Sequence, residues 1–358
     1  MSRIAFGVKD LWEELRHCSP VLMYGTGNGA DKILEQMSRR GIVCDGFFVS
    51  DGFVRDRYFH GLRVMSLDEA EKKFGDFTAL MAFGSARTEV IENVKNIMSR
   101  HDFFAPDVPV ASGEVFDSDF YFSHEKEIDE ARSLLADGLS VKTFDDVIRY
   151  KISGDVRYLF DCETPESDAD ALLCGDYTAY VDLGAYTGDT MKKTLGLYPT
   201  IRKAVAFEPA KKPFEKLSAL CREYDVEFSL FNMCASDVTE TRLLSDGGGR
   251  GSRLSAEKSS SGAKTRAVQC SPLDDAAKLY GERLLIKIDV EGEERRAING
   301  ALQTIKNSDT DMLVSLYHRS EDLFSLPIMI HGICPQRRLY IRKLPGLPAW
   351  DINLYVCI

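Results

Sequence analysis

The chain has 358 residues, 44% hydrophobic and 28% charged, enough for two ordinary domains that each bury a core. Its 45 basic against 56 acidic side chains give a formal charge of −11, which argues against a general nucleic-acid binder, whose affinity rests on Lys and Arg at phosphates. No apolar run reaches the ~20 residues of a membrane span, the first residues lack a signal-peptide core, and nine scattered cysteines without a C-x-x-C pair read as reduced thiols, so a cytoplasmic protein is expected.

After a first amphipathic helix, residues 20 to 110 alternate strands and helices. "PVLMYG", "VCDGFFVSD" and "FTALMAFGS" read as strands, while "ADKILEQMSRRG", "SLDEAEKKFG" (opening on a Ser cap) and "RTEVIENVKNIMSRH" read as helices. Such alternation predicts a parallel sheet with helices on both faces. From about 111 to 170 the pattern turns helical, as in "EKEIDEARSLLADGLSVKTFDDVIRYKIS". A second alternation runs through "YTAYVDLG", "KAVAFEP", "EFSLFNMCASD", "RLLIKIDVEG" and "DMLVSLYH". It closes on "RRLYIRKL" and "DINLYVCI", which suggest an antiparallel hairpin at the sheet edge. The expected fold is α/β with two Rossmann-like parallel-sheet domains, residues 1–110 and 171–358, joined by a helical connector, 111–170.

Both sheets begin with a glycine-spaced cradle. In the first, Gly25, Gly27 and Gly29 follow a strand, and Asp51 ends the next strand about 20 residues on. The third glycine comes one position early for G-x-G-x-x-G, and no catalytic Lys, Tyr or Cys–His arrangement follows. An accessory domain that recognises part of a substrate, or a purely structural one, is the better reading. In the second cradle each strand ends on a ligand-type residue: Asp182, Gly184 and Gly188, then Glu208, then Ala235-Ser236-Asp237, then Asp289. In open parallel sheets ligands bind at those carboxyl ends, and an acid about 20 residues past the glycines is placed to bond ribose hydroxyls. The D-x-G-x-x-x-G spacing suits a cationic ligand such as S-adenosyl-L-methionine better than a pyrophosphate.

The run "VDLGAYTGDT … VAFEP … NMCASD … GGGRGSRLS … LLIKIDVEGEE … SLYHRSEDLF" resembles the FkbM family of S-adenosylmethionine-dependent methyltransferases, over about 175 to 358. The resemblance implies a class I methyltransferase sheet with its last strand antiparallel, and O-methylation of a sugar or another hydroxyl-bearing metabolite. Tyr186 stands where the family pattern often has Asn, which touches the cofactor contact there. The loop in "IRKLPGLPAWDINLY" also departs from the usual pattern.

A hydroxyl acceptor must lose its proton, and His318 and Asp289 are the candidate bases, each following a central strand. His318 is favoured because its ordinary pKa is ~6.5, against a purely structural histidine. Glu291, Glu294 and Tyr317 are candidate substrate contacts, although acids in a first helical turn are favourable through the dipole alone. Asp289, Glu291 and His318 could also hold a divalent metal, but nothing in the spacing demands one and none is expected. "GGGRGSRLS" is either a loop closing over the cofactor or a surface turn. Arg337, Arg338, Arg342 and Lys343 read as charges that protect a sheet edge. The expected partner is a small-molecule or glycan substrate, with a homo-oligomer left open. The rival readings are a nicotinamide-dependent oxidoreductase and a non-catalytic sugar-nucleotide-binding protein, both using the first cradle.

Overall fold

The computed structural model describes residues 6–50, 57–111, 113–173, 175–245, 253–255 and 265–358. Its first sheet contains β1 (Val21–Tyr24), β2 (Gly46–Val49), β3 (Tyr58–Phe59), β4 (Leu62–Ser66), β5 (Thr78–Met81) and β6 (Asp102–Phe104), in the order β3-β4-β2-β1-β5-β6. All neighbours are parallel except β3, which pairs antiparallel with β4. Strands β1, β2 and β5 are buried at every position, which is why they read as unbroken apolar runs: helices cover both faces. The helix Leu67–Phe74 starts with a complete capping box between Ser66 and Glu69.

The second sheet takes β7 (Ala179–Leu183), β8 (Lys203–Phe207) and β9 (Glu227–Phe231) from its first half. A smaller four-stranded sheet then interrupts it, made of β10 (Cys234–Ala235), β11 (Glu240–Ser245), β12 (Arg253–Ser255) and β13 (Thr265–Ser271). The main sheet resumes with β14 (Arg283–Ile288), β15 (Asp309–Ser315), β16 (Arg338–Lys343) and β17 (Ile352–Cys357), giving the order β16-β17-β15-β14-β7-β8-β9. β17 runs antiparallel to both its neighbours, β15 and β16, and the other pairs are parallel. The small sheet was not anticipated, and most of "GGGRGSRLS" lies outside the described residues; its end, Arg253–Ser255, is β12.

The intervening helices pack on the second sheet. The helix Gly138–Ser153 is capped by Asp137, whose Oδ1 accepts the Ser140 N–H at 2.7 Å, and most of its residues are buried. Its start covers β16. Arg342 donates to Asp137 Oδ2 at 2.6 Å, and Lys343, fully buried, donates to Glu163 Oε1 at 2.8 Å. The expectation that Arg342 and Lys343 guard an exposed edge is therefore corrected: helices cover that edge, and Arg337 too is buried, paired with Asp311 at 2.8 Å. One apolar cluster runs from Tyr24 and Phe48 through Phe144 and Ile148 to Val181, Ile286 and Leu354, so the two sheets and the helices share a core. Eight cysteines of the described chain are free.

Candidate active site

At the carboxyl ends of β7, β8 and β14 lies a cavity of about 270 Å³. The loop after β7 needs glycine at Gly184, whose φ is +92 and where an added Cβ would stand 1.9 Å from the Asp289 carbonyl oxygen. Tyr186 adopts φ +47, and its N–H donates to Glu208 Oε2 at 2.9 Å. The other Glu208 oxygen accepts the Ala210 N–H at 2.6 Å. Glu208 thus ties the two loops together while facing the cavity. Burial dominates its environment and raises its pKa despite both amide donors.

Beneath this loop Lys287 is buried, donating to Asp182 Oδ1 at 3.1 Å and to the Gly184 carbonyl at 3.0 Å. Tyr180 donates to the second Asp182 oxygen at 3.1 Å. Burial alone would depress the Lys287 ammonium, but Asp182 and then Asp289 outweigh it and raise its pKa. Asp289 Oδ2 lies 3.6 Å from that ammonium, and Tyr317 Oη donates to Asp289 Oδ1 at 3.2 Å. Burial pushes the Asp289 carboxyl up, yet Lys287 and His318 together hold it below its ordinary value.

His318 is 1% exposed. Its Nδ1 lies 2.9 Å from Glu294 Oε1, an oxygen that also accepts the Val290 and Gly292 N–H groups at 2.9 and 3.3 Å. Burial disfavours the imidazolium, but Glu294, Asp289 and Glu291 prevail and raise the pKa to about 9. The expectation of an ordinary histidine poised near neutrality is corrected by these acids: the ring is cationic at pH 7.

Gly184, Tyr186, Glu208, Ala235, Asp289, Glu291 and Tyr317 line the cavity. Asp182, Gly188, Ser236, Asp237, Glu294 and His318 are not among its lining residues. Asp182 is spent on Lys287 and Tyr180, and Asp237 accepts from Arg296 Nε at 2.6 Å. Gly188 has φ +88 and packs where a Cβ would meet Leu220 at 2.6 Å. None of the described residues of the first cradle lines this cavity. A Cβ at Gly25 would strike Phe83 at 2.6 Å and one at Gly29 the Ala82 carbonyl at 2.1 Å, so both glycines serve internal packing. Gly27, at φ +106, starts the following helix, and Asp51 lies outside the described residues. The lining residues not singled out from sequence include Lys287, Asp189, Glu293 and Asp351. Lys287 left a signal, being the one charged residue inside the buried strand "RLLIKI" after its first position.

The family model described as the methyltransferase FkbM domain matches residues 182–332. Over these residues the chain resembles an FkbM methyltransferase domain. It is a methyltransferase, and the cavity lies within the matched region, extended by Asp351 from the hairpin turn. The crystal structure of the methyltransferase FkbM from Methylobacillus flagellatus KT is similar in fold over both sheets, with a TM-score of 0.70, 20% identity, and coverage of 94% of this chain and 89% of that one. A putative methyltransferase from Streptococcus mutans in complex with SAH superposes with a TM-score of 0.34 at 9% identity, over 54% of this chain and 97% of that one. A putative rRNA methylase from Clostridium thermocellum gives 0.35 and 8%, over 53% and 90%. No curated protein matches the chain in sequence. Among the described residues no helix is long and apolar enough to cross a membrane.

Proposed function

We propose that this methyltransferase uses S-adenosylmethionine to methylate a hydroxyl of a sugar, glycan or related metabolite in the cytoplasm. In this reading residues 171–358 are the catalytic domain, 111–170 a helical connector and 1–110 an accessory domain. The observation that carries it is the charge of the cavity: among the described residues its lining includes Asp189, Glu208, Asp289, Glu291, Glu293 and Asp351 against one cationic residue, Lys287, with Glu293 paired to Arg242 at 2.7 Å behind it. A sulfonium and an α-ammonium are stabilised there, whereas a dinucleotide pyrophosphate would be repelled by several kcal/mol if brought as close as ~4 Å to partly buried acids. Glu208, ending the second strand of its sheet, is where an acid receives ribose hydroxyls in this architecture.

When bound, the cofactor supplies a methyl group activated on a sulfonium. The chain positions the acceptor in line with it and receives the hydroxyl proton. Asp289 and Glu291 face the cavity with side chains 30% and 33% exposed. The acceptor hydroxyl's proton would pass to one of these carboxylates and on to water. His318, already protonated, holds the two acids in place.

Calorimetric titration with S-adenosylhomocysteine and NAD tests the reading. Binding of the first and not the second is expected, with Glu208→Gln weakening it roughly ten- to a hundredfold through loss of a charge-assisted bond of about 1.5–3 kcal/mol. Binding of NAD alone would overturn it.

A further inference from the structure

The chain has two tryptophans: Trp12 is buried, at 3% exposure, whereas Trp350 is 43% exposed. Trp350 belongs to the turn between β16 and β17 and directly precedes Asp351, a residue of the cavity wall. Successive Cα atoms are ~3.8 Å apart, so the indole is rooted at the rim of the cavity. Asp351 shares that wall with Asp289, Glu291 and Tyr317. Burial, then Asp289 and then Asp351 raise the Tyr317 pKa, so these polar groups stand together.

One face of the ring is covered. A Cβ added at Gly84, just past β5, would stand 2.1, 2.4 and 2.7 Å from Cζ3, Cε3 and Cη2, three consecutive ring atoms. Similar distances to three neighbouring atoms place that point over the ring face, not off its edge. With Gly84 beneath it, the indole has its opposite face left to solvent. The seat is rigid. Ser85 and Leu347 exchange backbone hydrogen bonds, the Leu344 N–H donates to the Asp351 carbonyl at 3.0 Å, and Glu163 Oε1 accepts the Gly346 N–H at 3.0 Å. Single exposed apolar residues are ordinary on a surface. This one differs in being fixed flat beside a wall of carboxylates.

We propose that the open face of Trp350 is the platform on which the methyl acceptor docks, and that the acceptor presents to it a sugar ring carrying no phosphate. The proposal rests on the methyl-transfer reading. The electron-rich face of an indole attracts C–H groups polarised by neighbouring oxygens, which a pyranose ring presents on its flat side. Asp289, Glu291 and Asp351 then accept hydrogen bonds from hydroxyls at the ring's margin. The same carboxylates repel a phosphate, so a nucleotide-linked sugar is disfavoured.

Fluorescence tests this, because a full-length Trp12→Phe protein reports on Trp350 alone and needs no cofactor. Methyl glycosides of glucose, galactose, mannose, N-acetylglucosamine, rhamnose and fucose are titrated while acrylamide quenching is followed, with UDP-glucose alongside. At least one glycoside is expected to shield Trp350, and UDP-glucose to leave it open. By calorimetry Trp350→Ala should weaken that glycoside roughly three- to tenfold and Trp350→Phe should recover most of the loss, with circular dichroism and S-adenosylhomocysteine affinity as in the parent. No shielding by any glycoside, stronger shielding by UDP-glucose, or parental glycoside affinity in Trp350→Ala would overturn the platform. Glycoside binding without S-adenosylhomocysteine binding would instead reject the methyl donor and leave the sugar platform standing.

Discussion

Tyr186 sits in the left-handed region at φ +47, where a tyrosine costs about 1–2 kcal/mol and asparagine less. Its backbone N–H must stay there to reach Glu208, so the loop geometry, not the side chain, sets the preference. Tyr186→Asn should therefore raise the unfolding free energy of the ligand-free protein by roughly 0.5–1 kcal/mol, read from urea unfolding; a lower stability would show that the ring packs more than it strains. His318 gives a pH prediction. Its folded pKa of about 9 exceeds the ordinary 6.5, so its stabilising contribution is full below pH 6.5 and is lost as pH rises through 9. The stability gap between parent and His318→Gln should shrink by on the order of 2–3 kcal/mol between pH 6.5 and 9.5, and a constant gap would contradict the acidic surroundings. The residue scale also shows what spacing conveys. Glu208 and Asp289 were legible as cavity-lining residues because they follow strand ends; Asp182 lies near a strand end too, but Lys287, opposite it on the neighbouring strand, takes its carboxylate, a pairing only the β7–β14 register creates.

At the scale of elements, the central strands of both main sheets and the helices between them were legible from apolar period and caps, including the cap at Ser66, while β3, β4, β6 and the small four-stranded sheet were not. The edge at β16 was not. Its charges match the pattern of a solvated edge strand, and only tertiary packing places Asp137 and Glu163 against them. Burial lowers the Lys343 pKa, with Glu163 opposing that shift. Glu163→Ala should thus cost roughly 3 kcal/mol, the loss typical when a buried charge is left unpaired. Adding Lys343→Met should recover most of it. Thermal unfolding of the single and double variants checks this, and equal losses in both would mean the pair is held by something other than its charges.

At the scale of the molecule, residues ahead of the second sheet brace the site. The Ala111 N–H donates to the His318 carbonyl at 2.9 Å, Ser320 Oγ donates to the Glu114 carbonyl at 2.6 Å, and a Cβ on Gly292 would meet Ala111 at 2.5 Å. A fragment beginning at 171 removes these contacts together with Asp137 and Glu163. It should be unfolded, or bind S-adenosylhomocysteine far more weakly than a fragment beginning at 105, which keeps them all. Full affinity in a folded 171–358 fragment would contradict that dependence. Alternation along the chain revealed two sheets; it held no information on the segment between them, whose partners are distant in sequence.

The meeting of the two sheets at Gly84 and Trp350 has a consequence for ancestry. A Cβ on Gly84 would lie 2.1 Å from the Trp350 ring, and Ser85 and Leu347 exchange backbone hydrogen bonds at 2.7 and 2.9 Å. The residue after Trp350 is Asp351, part of the cavity wall. A side chain larger than glycine at 84 would have to be met by a smaller one at 350, so recombination that swapped the first half between homologous chains would reshape the cavity wall at Asp351 without altering a single residue of the methyltransferase half.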